Sequence, residues 1–284
     1  MEPHEARIDA LLPPDMAASA ERIGVRKAEM SPVSTFALAV LAGAFISLGA
    51  LFSTTVTAGA EALPFGVARL LAGLVFSLGL ILVVVGGAEL FTGNNLIVMA
   101  WASRKVSTRL LLKNWLIVYA GNMLGAIATA AVMFLTAQYT FGGGEVGVAA
   151  LSTAEAKSSF GFVQAFALGV MCNALVCLAV WLTYSARTTA DRILAVVPPI
   201  TAFVAAGFEH SIANMYFIPI GLFIKAGAQP AFWDSIARSA VDYPHLTLQG
   251  FAANLLPVTL GNVVGGGLMV GAIYWFVYLR GNRV

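Results

Sequence analysis

Two carboxylates and one histidine stand inside segments that are otherwise apolar enough to lie in a lipid bilayer. Segment 205–214 has the sequence Ala-Ala-Gly-Phe-Glu-His-Ser-Ile-Ala-Asn, with Glu209 next to His210, and segment 87–94 has Gly-Ala-Glu-Leu-Phe-Thr-Gly-Asn, with Glu89. An ionisable side chain at the centre of a membrane helix costs about 2.5 to 3.5 kcal/mol on insertion scales, so its presence predicts function. A histidine in such a place can give or accept a proton near neutral pH.

The composition places these residues in a membrane protein. Of 284 residues, 59% are hydrophobic and 11% charged, against about 25% charged in soluble domains. The net charge of +2 and the scattered basic residues argue against a nucleic-acid partner. The first thirty residues contain no long apolar stretch, so we expect no cleavable signal peptide. Cys172 and Cys177 lie on different sides of one helix and are expected to be packing residues.

The apolar segments predict six membrane crossings, each needing about 20 helical residues. We expect three domains: an N-terminal segment, 1–33, with a short amphipathic helix; a channel domain, 34–280; and a tail, 281–284. The predicted crossings are 34–56, 67–101, up to 137, 160–186, up to 224, and the last ending near 279, with loops at 138–159 and 225–249. Glycine and polar residues interrupt the second and fifth crossings, which predicts two broken helices.

The two halves of the channel domain resemble each other. Glu89 aligns with Glu209, Asn94 with Asn214, and the pattern Gly-Asn-x-x-Gly occurs at 121–125 and at 261–265. Repeat 1, about 34–137, and repeat 2, about 160–280, contain three crossings each, and an odd number inverts the second repeat relative to the first. Broken helices at matching positions of inverted repeats predict a translocation site at the membrane midplane.

Basic residues predict the orientation. With six crossings, one set of loops and both termini fall on the same side of the membrane. That side carries most of the basic residues, namely Arg22, Arg26, Lys27, Arg104, Lys105, Arg109, Lys113, Arg187, Arg192, Arg280 and Arg283. By the positive-inside rule it is cytoplasmic. We therefore expect a multi-pass protein of the cell inner (plasma) membrane with both termini in the cytoplasm.

Each candidate side chain has more than one possible role. The half-helix after each break presents free N–H groups and a positive dipole, which favour an anion path, although the glycines could serve close packing alone. His210 could be a buried structural residue, and no second histidine or cysteine supports a metal site. Thr92 could cap its half-helix, face His210, or both. For Asn122 and Asn262 support of the broken loops is favoured over pore lining, and Asn173 has the same two alternatives.

The motifs at 87–92 (Gly-Ala-Glu-Leu-Phe-Thr), 207–215 (Gly-Phe-Glu-His-Ser-Ile-Ala-Asn-Met) and 257–267 (Pro-Val-Thr-Leu-Gly-Asn-Val-Val-Gly-Gly-Gly) resemble those of the formate/nitrite transporter family, especially its formate channels. The resemblance runs from Leu11 to Tyr274-Trp275. It implies an all-α, aquaporin-like bundle of six helices with interrupted second and fifth helices, assembled as a homopentamer with one pore per subunit. It implies small monovalent anions as substrates (formate, nitrite, hydrosulfide, acetate or lactate), no cofactor and no enzymatic activity.

The resemblance also implies roles for individual residues. His210, Thr92 and Asn262 would form the polar midpore site beside Glu209, with constrictions drawn from Phe76, Leu80, Leu90 and Phe203. Lys157 would attract anions in the outer vestibule, with Asn173 in its surroundings. Glu89, Asn94, Asn214 and Asn122 would support the loops. Gly93-Asn94-Asn95 departs from the small hydroxyl or aliphatic residues of formate channels, so we make no prediction of gating.

The expected mechanism is weak-acid transport. His210 would protonate the anion, because a neutral acid crosses an apolar constriction more easily than a carboxylate. Acid pH would favour proton-coupled uptake, and higher pH passive export of the anion. A nitrite or hydrosulfide channel is an alternative. A neutral-solute channel like an aquaporin would not need the glutamates or His210, and a membrane enzyme or receptor would need a larger exposed site.

Overall fold

The computed structural model describes residues 10–282, which form helices and turns and contain no β-strand. His4 and Arg283 therefore lie outside the described residues, as does part of the expected amphipathic segment. The helices in order are α1 (Pro13–Glu29), α2 (Pro32–Thr57), α3 (Phe65–Gly86), α4 (Phe91–Asn94), α5 (Val98–Ala102), α6 (Thr108–Leu135), α7 (Glu145–Ser158), α8 (Phe162–Thr183), α9 (Thr189–Ala205), α10 (Ser211–Gly227), α11 (Pro230–Ser235), α12 (Leu248–Val263), a π-helix (Val264–Ala272) and α13 (Ile273–Tyr278).

The membrane-spanning elements agree with an all-α membrane protein. Five helices are long and apolar enough to cross a bilayer: Pro32–Thr57, Phe65–Gly86, Thr108–Leu135, Phe162–Thr183 and Leu248–Tyr278. The fifth predicted crossing consists of two shorter pieces, α9 and α10, of 17 residues each. Neither piece alone is as long as the hydrocarbon core requires, so this crossing depends on both.

Both breaks begin at a glycine with a left-handed backbone. Gly87 follows α3 with φ +78°, and Gly207 follows α9 with φ +77°, a conformation that glycine adopts without steric cost. The chain then runs extended for a few residues before α4 or α10 starts. In each half the backbone N–H of the glutamate in the extended segment bonds to a neighbouring helix. Glu89 N–H donates to Leu38 O at 3.2 Å, and Glu209 N–H donates to Leu168 O at 3.3 Å.

Glycines let the first and third crossings of each half approach closely. A Cβ built on Gly125 of α6 would lie 2.0 Å from the carbonyl oxygen of Val40 in α2, and one on Gly265 would lie 2.0 Å from that of Val170 in α8. Small residues allow such backbone contacts between membrane helices. The same contact thus occurs in both halves, at corresponding positions.

The two halves are inverted relative to each other. Helices α3 and α9 pack together, with Gly73 of α3 facing the backbone of Thr201 in α9. Two cavities lie at opposite ends of this pair. The Lys27 cavity includes Val83 near the end of α3 and Arg192 near the start of α9, whereas the Lys157 cavity includes Arg69 near the start of α3 and Ala205 at the end of α9. The two helices are therefore antiparallel.

One expectation of the sequence analysis is wrong: the predicted loop 138–159 contains helix α7. Its buried side, formed by residues such as Val146, Ala150, Leu151 and Ala154, packs against the bundle, mainly on α10. The helix is short and weakly apolar, so hydropathy does not distinguish it from a loop. Helix α7 comes directly before α8, the first crossing of the second half, just as α1 comes directly before α2, the first crossing of the first half. The loop 225–249 likewise contains α11.

The N-terminal helix α1 packs on the protein. Ala17 and Ala20 are buried, and Gly24 approaches Ala100 of α5. Lys105 forms an ion pair with the largely buried Glu21 at 2.5 Å. Helix α1 thereby covers the segment that follows the first break, and it delivers Lys27 to Glu89.

Candidate translocation pore

Glu89 sits at the first break in a closed set of polar contacts. Lys27 Nζ lies 2.6 Å from Glu89 Oε1 and donates to Asn94 Oδ1 at 3.1 Å. The amide of Asn94 donates to Glu89 Oε2 at 2.7 Å and to Asn114 Oδ1 at 2.9 Å. Asn114 in turn donates to the carbonyl of Lys27 at 3.1 Å. The buried carboxylate is thus neutralised and hydrogen-bonded, as burial of a charge requires.

The second break repeats this arrangement around Glu209. Lys157 Nζ lies 2.6 Å from Glu209 Oε1, and the amide of Asn214 donates to Glu209 Oε2 at 2.7 Å and to Asn254 Oδ1 at 2.7 Å. Asn254 donates to Glu209 Oε2 at 3.3 Å and to the carbonyl of Lys157 at 2.8 Å. We call these two sets the Glu89 tetrad and the Glu209 tetrad. Both glutamates therefore support their loops and have no free oxygen to repel an anion.

Asn262 and Asn122 tie the extended loops to the third crossing of each half. Asn262 donates to Gly169 O at 2.8 Å and to Glu209 O at 3.0 Å, and its Oδ1 accepts from Ser211 N–H at 2.9 Å. Asn122 makes the equivalent bonds to the carbonyls of Ala39 and Glu89 and to the N–H of Phe91, at 2.7, 2.9 and 2.9 Å. Both side chains are fully buried. Two of the three hydrogen bonds of Asn262 thus go to the broken segment; loop support as its role stays a prediction.

His210 and Thr92 meet between the two breaks. Thr92 Oγ1 lies 3.0 Å from His210 Nε2, and His210 Nδ1 accepts from Ala213 N–H at 3.1 Å. Because Nδ1 accepts, the ring proton lies on Nε2 and points at the Thr92 hydroxyl. The threonine does not cap α4, whose N-cap residue is Leu90 and has no side-chain cap. Of the two roles considered for Thr92, the structure places it in the contact with His210.

Asn173 lies behind Thr92 and lines neither cavity. Its amide donates to Thr92 O at 3.2 Å, to Asn95 Oδ1 at 3.0 Å and to Asn262 O at 2.7 Å. The thiol of Cys177 also donates to Thr92 O, at 3.3 Å. Asn173 is therefore not among the surroundings of Lys157, where the resemblance had placed it. Its bonds fix the backbone that carries the Thr92 hydroxyl.

Apolar side chains separate the two cavities. Leu80 and Leu90 line the Lys27 cavity, and Phe76 and Phe203 line the Lys157 cavity. All four are nearly fully buried. The rings of Phe76 and Phe203 are 5.6 Å apart and meet edge to face, while Phe203 stacks on His210 at 5.9 Å. Phe203 thus contacts His210 from the Lys157 cavity, and Leu90 of the Lys27 cavity stands two residues before Thr92; that the four residues form constrictions stays a prediction.

Sequence reasoning missed several members of this site. Asn114 and Asn254 each stand eight residues before Asn122 or Asn262, a spacing that would have extended the repeat. Lys27 had no local signal, because its helix was expected to be a terminal segment. The sequence around Arg69 gives no such signal either. Within residues 10–282 no three His, Cys, Asp or Glu side chains cluster as metal ligands would.

Comparisons with known proteins agree with the motifs. The family model for the formate/nitrite transporter matches residues 14–276. The chain is 48% identical to the formate channel FocA of Escherichia coli (strain K12) over 96% of both chains, and 40% identical to that of Haemophilus influenzae over 92% of this chain and 93% of the relative.

A solved structure described as a pentameric formate channel with formate bound superposes with a TM-score of 0.84 at 47% identity. The superposition covers 88% of this chain and 98% of the solved chain. The curated relatives are named as channels or transporters and span the same length, which supports a multi-pass transport protein without enzymatic activity. The chain belongs to the formate/nitrite transporter family.

Proposed function

We propose that this protein is a channel for formate and related small monovalent anions, with the pore between the Lys27 cavity and the Lys157 cavity. The observation that carries the proposal is the buried His210–Thr92 contact: His210 lines the Lys157 cavity, and Leu90, two residues before Thr92, lines the Lys27 cavity. The relatives named as formate channels, at up to 48% identity, support formate as the substrate. The similar solved structure, described as pentameric, supports a homopentamer, and we propose one pore in each subunit.

The proposed orientation follows from charge. Lys105 lies between the first broken helix and α6, and α1 packs beside it, so the Lys27 cavity is on the side richest in basic residues. By the positive-inside rule this side faces the cytoplasm, together with both termini. The Lys157 cavity then faces outward. We propose the inner (plasma) membrane as the location.

The electrostatics of the path suit an anion. Helix α10 and the helical run 91–102, which begins with α4 and ends with α5, both start at the breaks, so the positive ends of their dipoles lie at the breaks. The carboxylates that stand nearest, Glu89 and Glu209, are each bound to a lysine and to amide groups. The anion therefore meets hydrogen-bond donors and no uncompensated carboxylate.

His210 would act on the anion at the midpoint. With Nδ1 occupied by Ala213 N–H, the ring donates through Nε2 to Thr92, and the Thr92 hydroxyl can donate to an anion. Proton transfer to the anion requires a second ring proton. Nδ1 must then release Ala213 N–H, so we propose that proton coupling includes a small movement of the His210 ring. The neutral acid would cross the apolar constriction more easily than the anion.

The test is uptake of radiolabelled formate into proteoliposomes at acid and neutral pH, with nitrite and hydrosulfide as competitors. Strong uptake at acid pH with weak competition supports a formate channel. If nitrite or hydrosulfide displaces formate, the proposed pore stands, and the competing anion replaces formate as the proposed substrate. Absence of any anion flux, with flux of a neutral solute in the same vesicles, would overturn the proposal in favour of a neutral-solute channel.

A further inference from the structure

Arg69 is a basic residue that lines the Lys157 cavity and has no role in the proposed proton transfer. Its Nε donates to the carbonyl of Ala205 at 3.2 Å, and its Nη2 donates to the carbonyl of Val204. These carbonyls belong to the end of α9, where the second break starts. No hydrogen bond from Nη1 to a described residue is present. One edge of the guanidinium is thus fixed on the broken helix, and its other edge is open.

The charges of the Lys157 cavity make Arg69 distinctive. Two basic residues, Arg69 and Lys157, and one acidic residue, Glu209, line the described part of this cavity. Lys157 and Glu209 form an ion pair at 2.6 Å, with side chains only 14% and 2% exposed. The partners of Arg69 are neutral carbonyls. The described lining thus has a net charge of +1, and Arg69 is the basic residue in it whose hydrogen-bond partners are uncharged.

We propose that Arg69 is the residue that recruits the anion into the Lys157 cavity, and that Lys157 is a positioning residue for Glu209 and the loop. This inference rests on the proposed function. The open edge of a guanidinium offers parallel N–H groups that match a planar oxyanion such as a carboxylate, with both oxygens bound at once. A lysine ammonium group lacks this planar pair of donors. A spherical anion lacks the pair of oxygens that such donors would bind. Arg69 thus favours formate or nitrite over a halide at the entrance.

The opposite cavity provides a matched control. Arg192 of α9 lines the Lys27 cavity, as Arg69 of α3 lines the Lys157 cavity, and the two residues lie at opposite ends of the helix pair. The Lys27 cavity also contains Arg26, so the loss of Arg192 removes a smaller share of its positive charge. An effect specific to recruitment by Arg69 has to depend on the side from which the anion enters.

The experiment measures initial formate entry into vesicles of known orientation, for wild type, Arg69→Gln, Arg69→Lys and Arg192→Gln. At low formate and low ionic strength, Arg69→Gln should reduce entry from the Lys157-cavity side about three- to ten-fold. The reduction should diminish at high salt, because screening removes attraction at a distance, and the saturated rate should stay near that of wild type. Arg192→Gln should leave the ratio of low-salt to high-salt entry from that side unchanged.

Arg69→Lys separates charge from shape. It should restore most of the salt-dependent entry but lose preference for formate, so that chloride competes more effectively than in wild type. An unchanged low-salt rate in Arg69→Gln would overturn the inference, and so would an equal loss from both sides at every salt concentration, which is the result of a purely structural defect. If wild type itself carries no anion, the proposed function fails, whereas formate flux in wild type with no effect of Arg69 refutes this inference alone.

Discussion

Replacing Lys157 with methionine should destabilise the protein far more than replacing Lys157 and Glu209 together. In the Lys157→Met variant the Glu209 carboxylate, 2% exposed, keeps the amide bonds from Asn214 and Asn254 but loses its countercharge. Breaking a buried ion pair by removing one partner costs about 3 to 5 kcal/mol. The retained amide bonds and the partial exposure of Lys157 place this variant at the low end, about 3 kcal/mol.

The double variant, Lys157→Met with Glu209→Gln, removes the charge as well as its partner. A glutamine at 209 can still accept from Asn214 and Asn254 through its oxygen, so that mainly one amide N–H group lacks a partner, at about 1 kcal/mol. Glu209→Gln alone leaves an unpaired lysine that is 14% exposed, at about 1 to 2 kcal/mol. The coupling energy of the double-mutant cycle is then about 3 to 4 kcal/mol in favour of the double variant.

The assay is reversible unfolding in mixed detergent micelles at fixed protein concentration, followed by tryptophan fluorescence. The Glu89 tetrad serves as an internal comparison, because its lysine is more exposed, at 25% against 14%. The cycle of Lys27→Met and Glu89→Gln should give a coupling energy of the same sign and about half the size. Additive effects in the Lys157 cycle, with coupling below about 0.5 kcal/mol, would refute the view that Lys157 neutralises a buried carboxylate.

Three further predictions follow from contacts at the pore. His210→Phe should remove the acid stimulation of formate uptake in proteoliposomes, and the same pH profile in this variant as in wild type would contradict proton donation by His210. Asn262→Ala and Asn122→Ala each break three hydrogen bonds to backbone, two at the broken segment and one to a neighbouring helix. Each should cost about 2 to 4 kcal/mol in the unfolding assay, at about 0.6 to 1.5 kcal/mol per bond; wild-type stability would count against loop support. Gly265→Ala should prevent normal folding, measured as yield of monodisperse protein, because its Cβ would lie 2.0 Å from a carbonyl oxygen, whereas Gly267→Ala, with its nearest contact at 3.5 Å, should be tolerated.

Much of the fold could be predicted because the strongest constraints are local. Apolar length fixes the crossings, and the glycines at 87 and 207 mark both breaks through their left-handed backbone. The repeated Gly-Asn-x-x-Gly pattern pairs Asn122 with Asn262, and each asparagine bonds two backbone groups of its broken segment and one carbonyl of the first crossing in its half.

The missed features depend on long-range contacts. Lys27 lies 62 residues from Glu89 in the chain, and only the packing of α1 brings the two together. Helix α7 has too few apolar residues to be distinguished from a loop until its buried side has a surface to pack on. Likewise, nothing in the sequence around Arg69 indicates that its partners are carbonyls of α9, because main-chain acceptors leave no residue-type signal.

The duplication of the lysine–glutamate pair has a consequence for the response of the protein to membrane voltage. A transmembrane potential does work of about 2.3 kcal/mol on each elementary charge moved through 100 mV. The two pairs belong to inverted halves, so their dipoles point in opposite directions along the membrane normal. A uniform field exerts no net force on a neutral ion pair, and the energies of two oppositely directed dipoles in that field cancel. We therefore expect these two ion pairs to make no net gating contribution when the membrane potential changes.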